Sequence, residues 1–193
     1  MSTTVPVLKG CDYIGIDHGA ISCIKAKIPM ICAVGDFDSV SEEEKARIQQ
    51  VTAILPLPAH KNETDTEVAI TYAMDHRYDE IILYGGLGGR MDHELANLYL
   101  LMNRELPIQL MNEQNRIRLL KEGSYEIAKS EYTYLSFLAL CDSCISERGV
   151  AYPLDHCEIT NRDIFTISNE IIEHHALITL HKGKVLMMET RDQ

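Results

Sequence analysis

The sequence predicts two domains: an α/β N-terminal domain with a mainly parallel sheet over residues 1–106, and an all-β C-terminal sandwich domain over residues 107–193. Two observations predict this division. Short apolar segments alternate with helix patterns in the first half, which is typical of an α/β domain. After Pro107, segments with strand character follow one another without a long helix pattern, which is typical of an all-β domain.

The N-terminal elements follow from apolar runs and helix-start signals. Ser41 with Glu44, and Thr64 with Glu67, have the spacing of a capping box, so each pair predicts the start of a helix. Asp92 is the predicted cap of a further helix. The predicted strands are 12–17, 30–34, 52–57 and 80–84, and the predicted helices are 19–27, 42–50, 66–76 and the segment after Asp92.

The C-terminal elements are short runs rich in β-branched and aromatic residues, bounded by polar or glycine-containing turns. Residues 181–184 (HKGK) are a predicted turn between the last two of these runs. The predicted strands are 108–111, 116–120, 124–127, 133–140, 164–168, 176–180 and 185–189.

Composition and charge exclude several classes of function. The formal net charge is −11, which argues against a general nucleic-acid binder or a binder of anionic membranes. No apolar run reaches the ~20 residues that span a bilayer, and the N-terminus lacks a signal-peptide pattern. Cys141 and Cys144 form a lone CxxC without a second pair. We therefore expect a cytoplasmic protein with reduced thiols.

Three polar clusters follow predicted strands. They are 35–39 (GDFDS), 61–65 (KNETD) and 90–93 (RMDH). Ligands of open parallel sheets bind outside the carboxyl ends of the strands. Three clusters at corresponding positions therefore predict a ligand site at that edge.

Asp36 and Asp38 are two residues apart, so their side chains leave the same face wherever the chain is extended. Two converging carboxylates repel each other unless a cation joins them. Mg²⁺ prefers hard oxygen ligands and commonly takes one or two carboxylates together with substrate phosphates. The alternative is a solvated turn in which an aspartate caps the backbone.

Lys61, Thr64 and Asp65 lie at the start of a predicted helix. A helix N-terminus binds phosphate, and a nearby lysine supplies countercharge. The alternative assigns Thr64 to the capping box, Asp65 to the favourable end of the helix dipole, and Lys61 to the surface.

The stretch 85–93 (GGLGGRMDH) places four glycines before charged residues. Gly86, Gly88 and Gly89 allow a backbone to approach a polyphosphate closely, and Arg90 can hold phosphate oxygens in a bidentate way. The pattern differs from the dinucleotide and P-loop motifs. A tight turn without a ligand is the alternative.

At these residues the sequence resembles the thiamine pyrophosphokinases. The resemblance runs in the family's order over nearly the whole chain, and the combination of GDFDS, TD and GGxGGRxDH is specific. The matching stretches include VGDFDSVS (34–41), KNETDTEVAI (61–70), YGGLGGRMDHELANL (84–98), SFLAL (136–140), GVAYPL (149–154) and ISNEI (167–171).

This resemblance implies a homodimer with active sites between subunits. It also implies transfer of a pyrophosphoryl group from ATP to thiamine, which gives thiamine diphosphate and AMP with Mg²⁺ as the metal. The residues that it assigns are Asp36, Asp38 and Asp65 for magnesium binding and catalysis, Lys61, Arg90 and Asp92 for nucleotide or phosphate contacts, and Ser168 and Asn169 for the thiamine pocket.

The sequence departs from the family pattern at three places. Asn62 replaces an aspartate, His18 follows the aspartate of D-x-G-A, and residues 1–10 are too few for the family's opening strand, turn and helix. The first domain is therefore expected to lack or rebuild that unit. Two other functions stay open: a non-catalytic thiamine or nucleotide binder, and a magnesium-dependent phosphatase of the haloacid dehalogenase type, although the adjacent aspartate pair of that class is absent.

Overall fold

A computed structural model describes residues 5–55, 63–103 and 108–192. The chain divides into two compact units, Met1–Ile81 and Ile82–Gln193. The predicted domain boundary after residue 106 lies within residues 104–107, outside the described residues, and stays a prediction.

The first unit alternates strands and helices, as predicted. Its elements are β1 (Ile14–Ile16), α1 (His18–Lys25), β2 (Cys32–Val34), α2 (Glu42–Val51) and α3 (Asp65–Asp75). Strand β1 pairs with β2 in parallel, and an isolated parallel bridge joins Ala33 to Ile54. The pairing that is present is therefore parallel but short, and the predicted strand at 52–57 is reduced to that bridge in its described part.

Close packing of α1 on β1 builds the core of this unit. Ala20 and Ile21 of α1 are buried with Phe37 and with Ile48 of α2. A Cβ at Gly15 in β1 would lie 2.6 Å from the Cα of Ala20, so only glycine allows the helix to approach the strand this closely.

Both predicted capping boxes are present. Ser41 caps α2 and Thr64 caps α3, and in each box the carboxylate of the glutamate three residues later accepts a hydrogen bond from the backbone N–H of the capping residue. Each box satisfies two N–H groups that the helix itself leaves unpaired. These local signals fix where the two helices begin.

In its described part, the second unit is an extensively hydrogen-bonded sheet that a helix contacts. Strand β3 starts at the last residue of the first unit, and the spatial order is β3-β4-β5-β10-β6-β9, with β7 paired to β10 and β8. The elements are β3 (Ile81–Tyr84), α4 (Met91–Asn103), β4 (Ile108–Met111), β5 (Asn115–Ala128), β6 (Tyr134–Ala139), β7 (Ser143–Arg148), β8 (Leu154–Ile159), β9 (Asn169–Glu170) and β10 (His175–Thr190).

The position of β3 limits the predicted fold class. The sequence places this strand in a mainly parallel N-terminal sheet, whereas the structure hydrogen-bonds it next to β4. The C-terminal part is rich in strands, as predicted, and the structure pairs them antiparallel. A single parallel sheet that carries all the N-terminal strands is not confirmed.

Strand β10 is the central element of the second unit. It pairs with β5 over most of its length, with β7 through its first half and with β6 through its second half. The prediction of two strands separated by a turn at residues 181–184 is therefore wrong. The chain passes these residues as an irregularity within one strand, where Gly183 has φ +93° and lies against Ser143.

Other strand predictions also need correction. The predicted strands 116–120 and 124–127 are parts of the single strand β5, and residues 164–168 form turns instead of a strand. Strands β7, β8 and β9 were not predicted. Among the described residues, no helix is long and apolar enough to cross a membrane.

The second unit buries the carboxyl group of Glu147 beside apolar side chains. Glu147 of β7 is 1% exposed, and its cross-strand partner Ile178 and Ile145, two residues earlier in β7, are fully buried apolar residues. Burial raises the pKa of the Glu147 carboxyl to about 7, although a hydrogen bond from Asn169 opposes this shift.

Replacing Glu147 by glutamine is expected to change how stability depends on pH. The pKa is raised from 4.5 to about 7 on folding, so the folded state holds this proton more tightly than the unfolded state. The resulting stabilisation is present below the unfolded pKa and is lost as pH rises through the folded pKa. Between about pH 4.5 and about pH 8, the wild type should lose on the order of 3 kcal/mol more free energy of unfolding than Glu147→Gln.

Urea unfolding of both proteins across this pH range measures the difference. Glu173→Gln is the matched control, because Glu173 is exposed in the same unit. If the free energy of unfolding changed equally with pH in the wild type and in Glu147→Gln, the pKa of this carboxyl would not be raised on folding.

Candidate functional site

Three carboxylates of the first unit converge. Asp17, Asp36 and Asp65 each place one oxygen so that the three atoms lie within 4.8 Å of one another. Asp17 directly follows β1, Asp36 lies two residues after β2, and Asp65 is the first residue of α3. The cluster therefore forms where two parallel strands end and a helix begins, and it contains one residue from each of the polar segments 35–39 and 61–65.

The end of β1 is held against the end of β2 by the backbone. The N–H of Asp17 donates to the carbonyl of Val34 at 2.9 Å. Gly35 has φ +149°, and a Cβ at this position would overlap the Oδ1 atom of Asp17. Glycine at 35 is thus required because the Asp17 carboxylate occupies the space that a side chain would fill.

The turn after β2 separates Asp36 from Asp38. Phe37 between them has φ +60° and is only 3% exposed, because its ring enters the apolar core of the unit. The N–H of Asp38 donates to Oδ1 of Asp36 at 3.1 Å. The chain is therefore not extended here, so the condition under which both carboxylates leave one face is not met, and Asp36 caps the backbone as in the alternative interpretation.

The acidic cluster contains Asp17, which no sequence motif assigns to metal binding, and the role of Asp38 in metal binding stays a prediction. Within the described residues, Asp36 and Asp65 are grouped with Asp17, and Asp38 is not part of that group. One signal could have indicated Asp17, since it ends an apolar strand just as the GDFDS segment does.

Helix α3 presents Asp65 at its N-terminus. The Oγ1 of Thr64 accepts from the N–H of Glu67 at 3.2 Å, and the Glu67 carboxylate accepts from the N–H and the hydroxyl of Thr64. The hydroxyl of Thr64 is therefore engaged in the capping box. Asp65 lies in the first turn, where the positive end of the helix dipole stabilises a carboxylate. Lys61 lies outside the described residues.

The chemistry of the acidic cluster fits a hard divalent cation. Three carboxylates at this separation repel one another, and oxygen ligands of this kind are those that Mg²⁺ prefers. Asp17 and Asp65 are half-buried and Asp36 is exposed, so the cluster is open to solvent on one side. Such a site can hold a cation and leave coordination positions for a substrate.

The glycine loop between β3 and α4 has a fixed part and an open part. The N–H of Gly85 donates to the carbonyl of Met111, and the Nδ2 of Asn97 donates to the carbonyl of Gly86. Gly88 and Gly89 have φ +87° and +102°, and a Cβ at either would meet nothing within 4 Å. The loop is thus anchored at its start, while its second glycine pair borders open space.

Arg90 is held by a two-point ion pair with Asp92. The guanidinium donates from Nε at 3.1 Å and from Nη2 at 2.6 Å. These bonds and the N–H of His93 lower the pKa of Asp92 to about 2. Helix α4 starts at Met91, so Asp92 lies in its first turn, and its prediction as the cap is wrong by position. Both side chains are exposed and open to a ligand.

Ser168 and Asn169 occupy different environments. Ser168 has φ +59°, and its N–H donates to Oγ of Ser136 at 2.9 Å. Asn169 is only 7% exposed. Its side-chain Nδ2 donates to Glu147 and to the carbonyl of Tyr152, and its Oδ1 accepts from the N–H of Tyr152. No sequence motif indicates Glu147, because an isolated glutamate in a strand carries none.

Two family models match the chain in sequence order. The model described as "Thiamin pyrophosphokinase, catalytic domain" matches residues 7–111. The model described as "Thiamin pyrophosphokinase, vitamin B1 binding domain" matches residues 124–185. The first match alone covers more than half of the chain.

Comparisons with individual proteins also find thiamine pyrophosphokinases. The chain is 34% identical to a thiamine pyrophosphokinase of Bacillus subtilis over 187 residues, which cover 93% of this chain and 87% of the relative. The crystal structure of thiamine pyrophosphokinase from Bacillus subtilis superposes with a TM-score of 0.88 at 31% identity, covering 97% of this chain and 91% of that one. A thiamin pyrophosphokinase family protein from Enterococcus faecalis gives a TM-score of 0.84 at 32% identity, covering 93% and 88%.

These matches confirm the family resemblance in the sequence and the presence of two domains. The chain belongs to the thiamin pyrophosphokinase family.

Proposed function

We propose that this chain transfers a pyrophosphoryl group from ATP to the hydroxyethyl oxygen of thiamine, giving thiamine diphosphate and AMP. The observation that carries the proposal is the match of both family domains, in order, along one chain. Neither alternative, a magnesium-dependent phosphatase or a non-catalytic homologue, is favoured by these matches.

The acidic cluster is the proposed magnesium site. Asp36 and Asp65 would hold the ion together with Asp17, whose oxygen lies within 4.8 Å of theirs. Asp38 stays a proposed partner through its position beside Asp36. When bound, Mg²⁺ would neutralise charge on the phosphates of ATP.

The glycine loop and Arg90 are the proposed phosphate contacts. Gly86, Gly88 and Gly89 would bring backbone N–H groups close to phosphate oxygens. Arg90 would exchange its exposed bonds to Asp92 for bonds to phosphate, while Asp92 keeps the guanidinium oriented before ATP binds. Lys61 and Thr64 are proposed to add contacts near the start of α3.

The chemical step needs an aligned hydroxyl and an acceptor for its proton. The thiamine oxygen attacks the β-phosphorus, a new O–P bond forms, and the bond between the β-phosphorus and the oxygen that leaves with AMP breaks. One of Asp36, Asp38 and Asp65 is proposed to accept the hydroxyl proton. Ser168 and Asn169 are proposed to belong to the thiamine pocket, in a cytoplasmic homodimer with active sites between subunits.

The reaction products test the proposed function directly. Protein, thiamine, ATP and Mg²⁺ in one mixture should give thiamine diphosphate and AMP in equal amounts by chromatography. Mixtures without thiamine or with a chelator are the controls. Formation of ADP and thiamine monophosphate would instead place the attack on the γ-phosphorus. Inorganic phosphate alone would support the phosphatase.

Asp17→Asn is expected to lower kcat by about 100-fold or more, because it removes one of the three converging carboxylates. The Mg²⁺ concentration for half-maximal rate should rise. Asp75→Asn at the exposed end of α3 is the matched control and should stay within about twofold. A rate for Asp17→Asn close to that of the wild type would remove Asp17 from the proposed site.

Arg90→Lys is expected to raise the KM for ATP by about tenfold, because lysine keeps the charge but loses the two-point geometry. The KM for thiamine should change little. Arg47→Lys is the control, since Arg47 also forms an exposed ion pair, with Glu43 at 2.6 Å. Equal effects of the two substitutions would contradict a phosphate contact at Arg90.

A further inference from the structure

The amide of Asn169 has no hydrogen-bonding capacity left for a ligand. Its Nδ2 donates to Oε2 of Glu147 at 2.9 Å and to the carbonyl of Tyr152 at 3.0 Å. Its Oδ1 accepts from the N–H groups of Tyr152 and Glu170, both at 3.0 Å. An amide side chain offers two donors and two acceptor sites, and all four are used. Asn169 therefore organises the protein, and its side chain has no hydrogen bond left to make with a substrate.

Glu147 anchors this amide in the core. It pairs across the sheet with Ile178 of β10 and Leu154 of β8, and its side chain is 1% exposed. A carboxyl in apolar surroundings is unfavourable unless it is hydrogen-bonded, and Asn169 supplies that bond. The roles proposed above for metal, phosphate and proton transfer do not use Glu147.

The anchored amide joins two segments of the vitamin B1 binding domain match, which spans residues 124–185. The N–H of Ala151 donates to the carbonyl of Glu170 at 2.9 Å, and Val150 forms an isolated bridge with Ile171. Residues 149–152 and 168–172 are therefore held side by side. The Asn169 side chain joins the two segments further through its hydrogen bonds to the backbone N–H and carbonyl of Tyr152.

Exposed groups stand on both of these segments. Tyr152 in the first segment is 75% exposed. Ser168 in the second segment is exposed, has φ +59° and donates its N–H to Oγ of Ser136, and Ile167 directly before it is 50% exposed. Thiamine consists of two flat rings, one of them cationic, and aromatic and apolar side chains bind such rings through their faces. The position of these exposed groups depends on the buried bonds of Asn169.

We propose that Glu147 is a positioning residue for thiamine binding, which acts by anchoring Asn169 and thereby the backbone of residues 149–152 and 168–170. The inference rests on the proposed function, since it assigns the ordered surface to thiamine. It gives Asn169 an indirect role in place of direct contact.

Steady-state kinetics of Glu147→Leu and Glu147→Gln test the proposal. Leucine removes the acceptor for Asn169, so the KM for thiamine should rise by about tenfold while the KM for ATP stays within about twofold. Glutamine keeps a carbonyl oxygen that can accept from Nδ2 and should restore the KM for thiamine to near the wild-type value. A merely structural role would lower the folded fraction, and hence the apparent kcat, without moving either KM.

A second variant keeps the test decisive if Glu147→Leu does not fold. Asn169→Asp retains the acceptor for Tyr152 and Glu170 but loses both donors, and it sets a carboxylate against Glu147. Its KM for thiamine should rise, and the double variant Glu147→Gln with Asn169→Asp should recover part of the loss, because the glutamine amide can donate to the aspartate. An unchanged KM for thiamine in folded Glu147→Leu or Asn169→Asp overturns the proposal.

Calorimetric binding of thiamine separates this proposal from the proposed function. A wild-type protein that binds thiamine but forms no AMP contradicts the proposed activity, and the positioning role is then measured from the ratio of Kd values between variants. A wild-type protein that binds no thiamine overturns both.

Discussion

Repulsion among three carboxylates is the constraint on which the first unit depends. Asp17, Asp36 and Asp65 hold oxygens within 4.8 Å of one another, and the polypeptide around them must prevent their separation. The backbone bond from Asp17 to Val34 fixes one pair of strand ends, Gly35 leaves room for the Asp17 carboxylate, and the α3 dipole stabilises Asp65. Short strands are sufficient to bring the carboxylates together, because only the ends of the strands have to be aligned.

The sequence predicted the location of this cluster better than its membership. Strand ends and capping boxes are local signals, and they indicate Asp36 and Asp65, which the structure groups with Asp17. Which carboxylates belong to the group depends on how the backbone turns. Phe37 has φ +60° and packs its ring in the core, so the chain turns between Asp36 and Asp38, and Asp38 is not part of the group. Asp17 was missed because its role requires β1 and β2 to be paired first.

The limited reach of local sequence signals also explains the wrong strand predictions in the second unit. Glycine and lysine at residues 182–184 indicate a turn when taken alone, yet β10 continues through them because β5 and β7 supply partners on either side. Strand pairing joins residues far apart in sequence, so the pattern within one segment does not specify its neighbours. Local signals thus predicted most helices and strands, while their lengths and partners required the tertiary structure.

Two polar arrangements in the second unit differ in how readily they can change partners. The bonds between Arg90 and Asp92 are exposed to water, and exposed ion pairs contribute little net free energy, so phosphate can displace Asp92 at small cost. The bonds of Asn169 are buried and saturated, and breaking any of them would leave an unpaired polar group in an apolar core. The proposed phosphate contacts can therefore rearrange on ATP binding. The surface organised by Asn169 is instead already ordered in the protein, so thiamine binding at this proposed surface need not include the free-energy cost of ordering it.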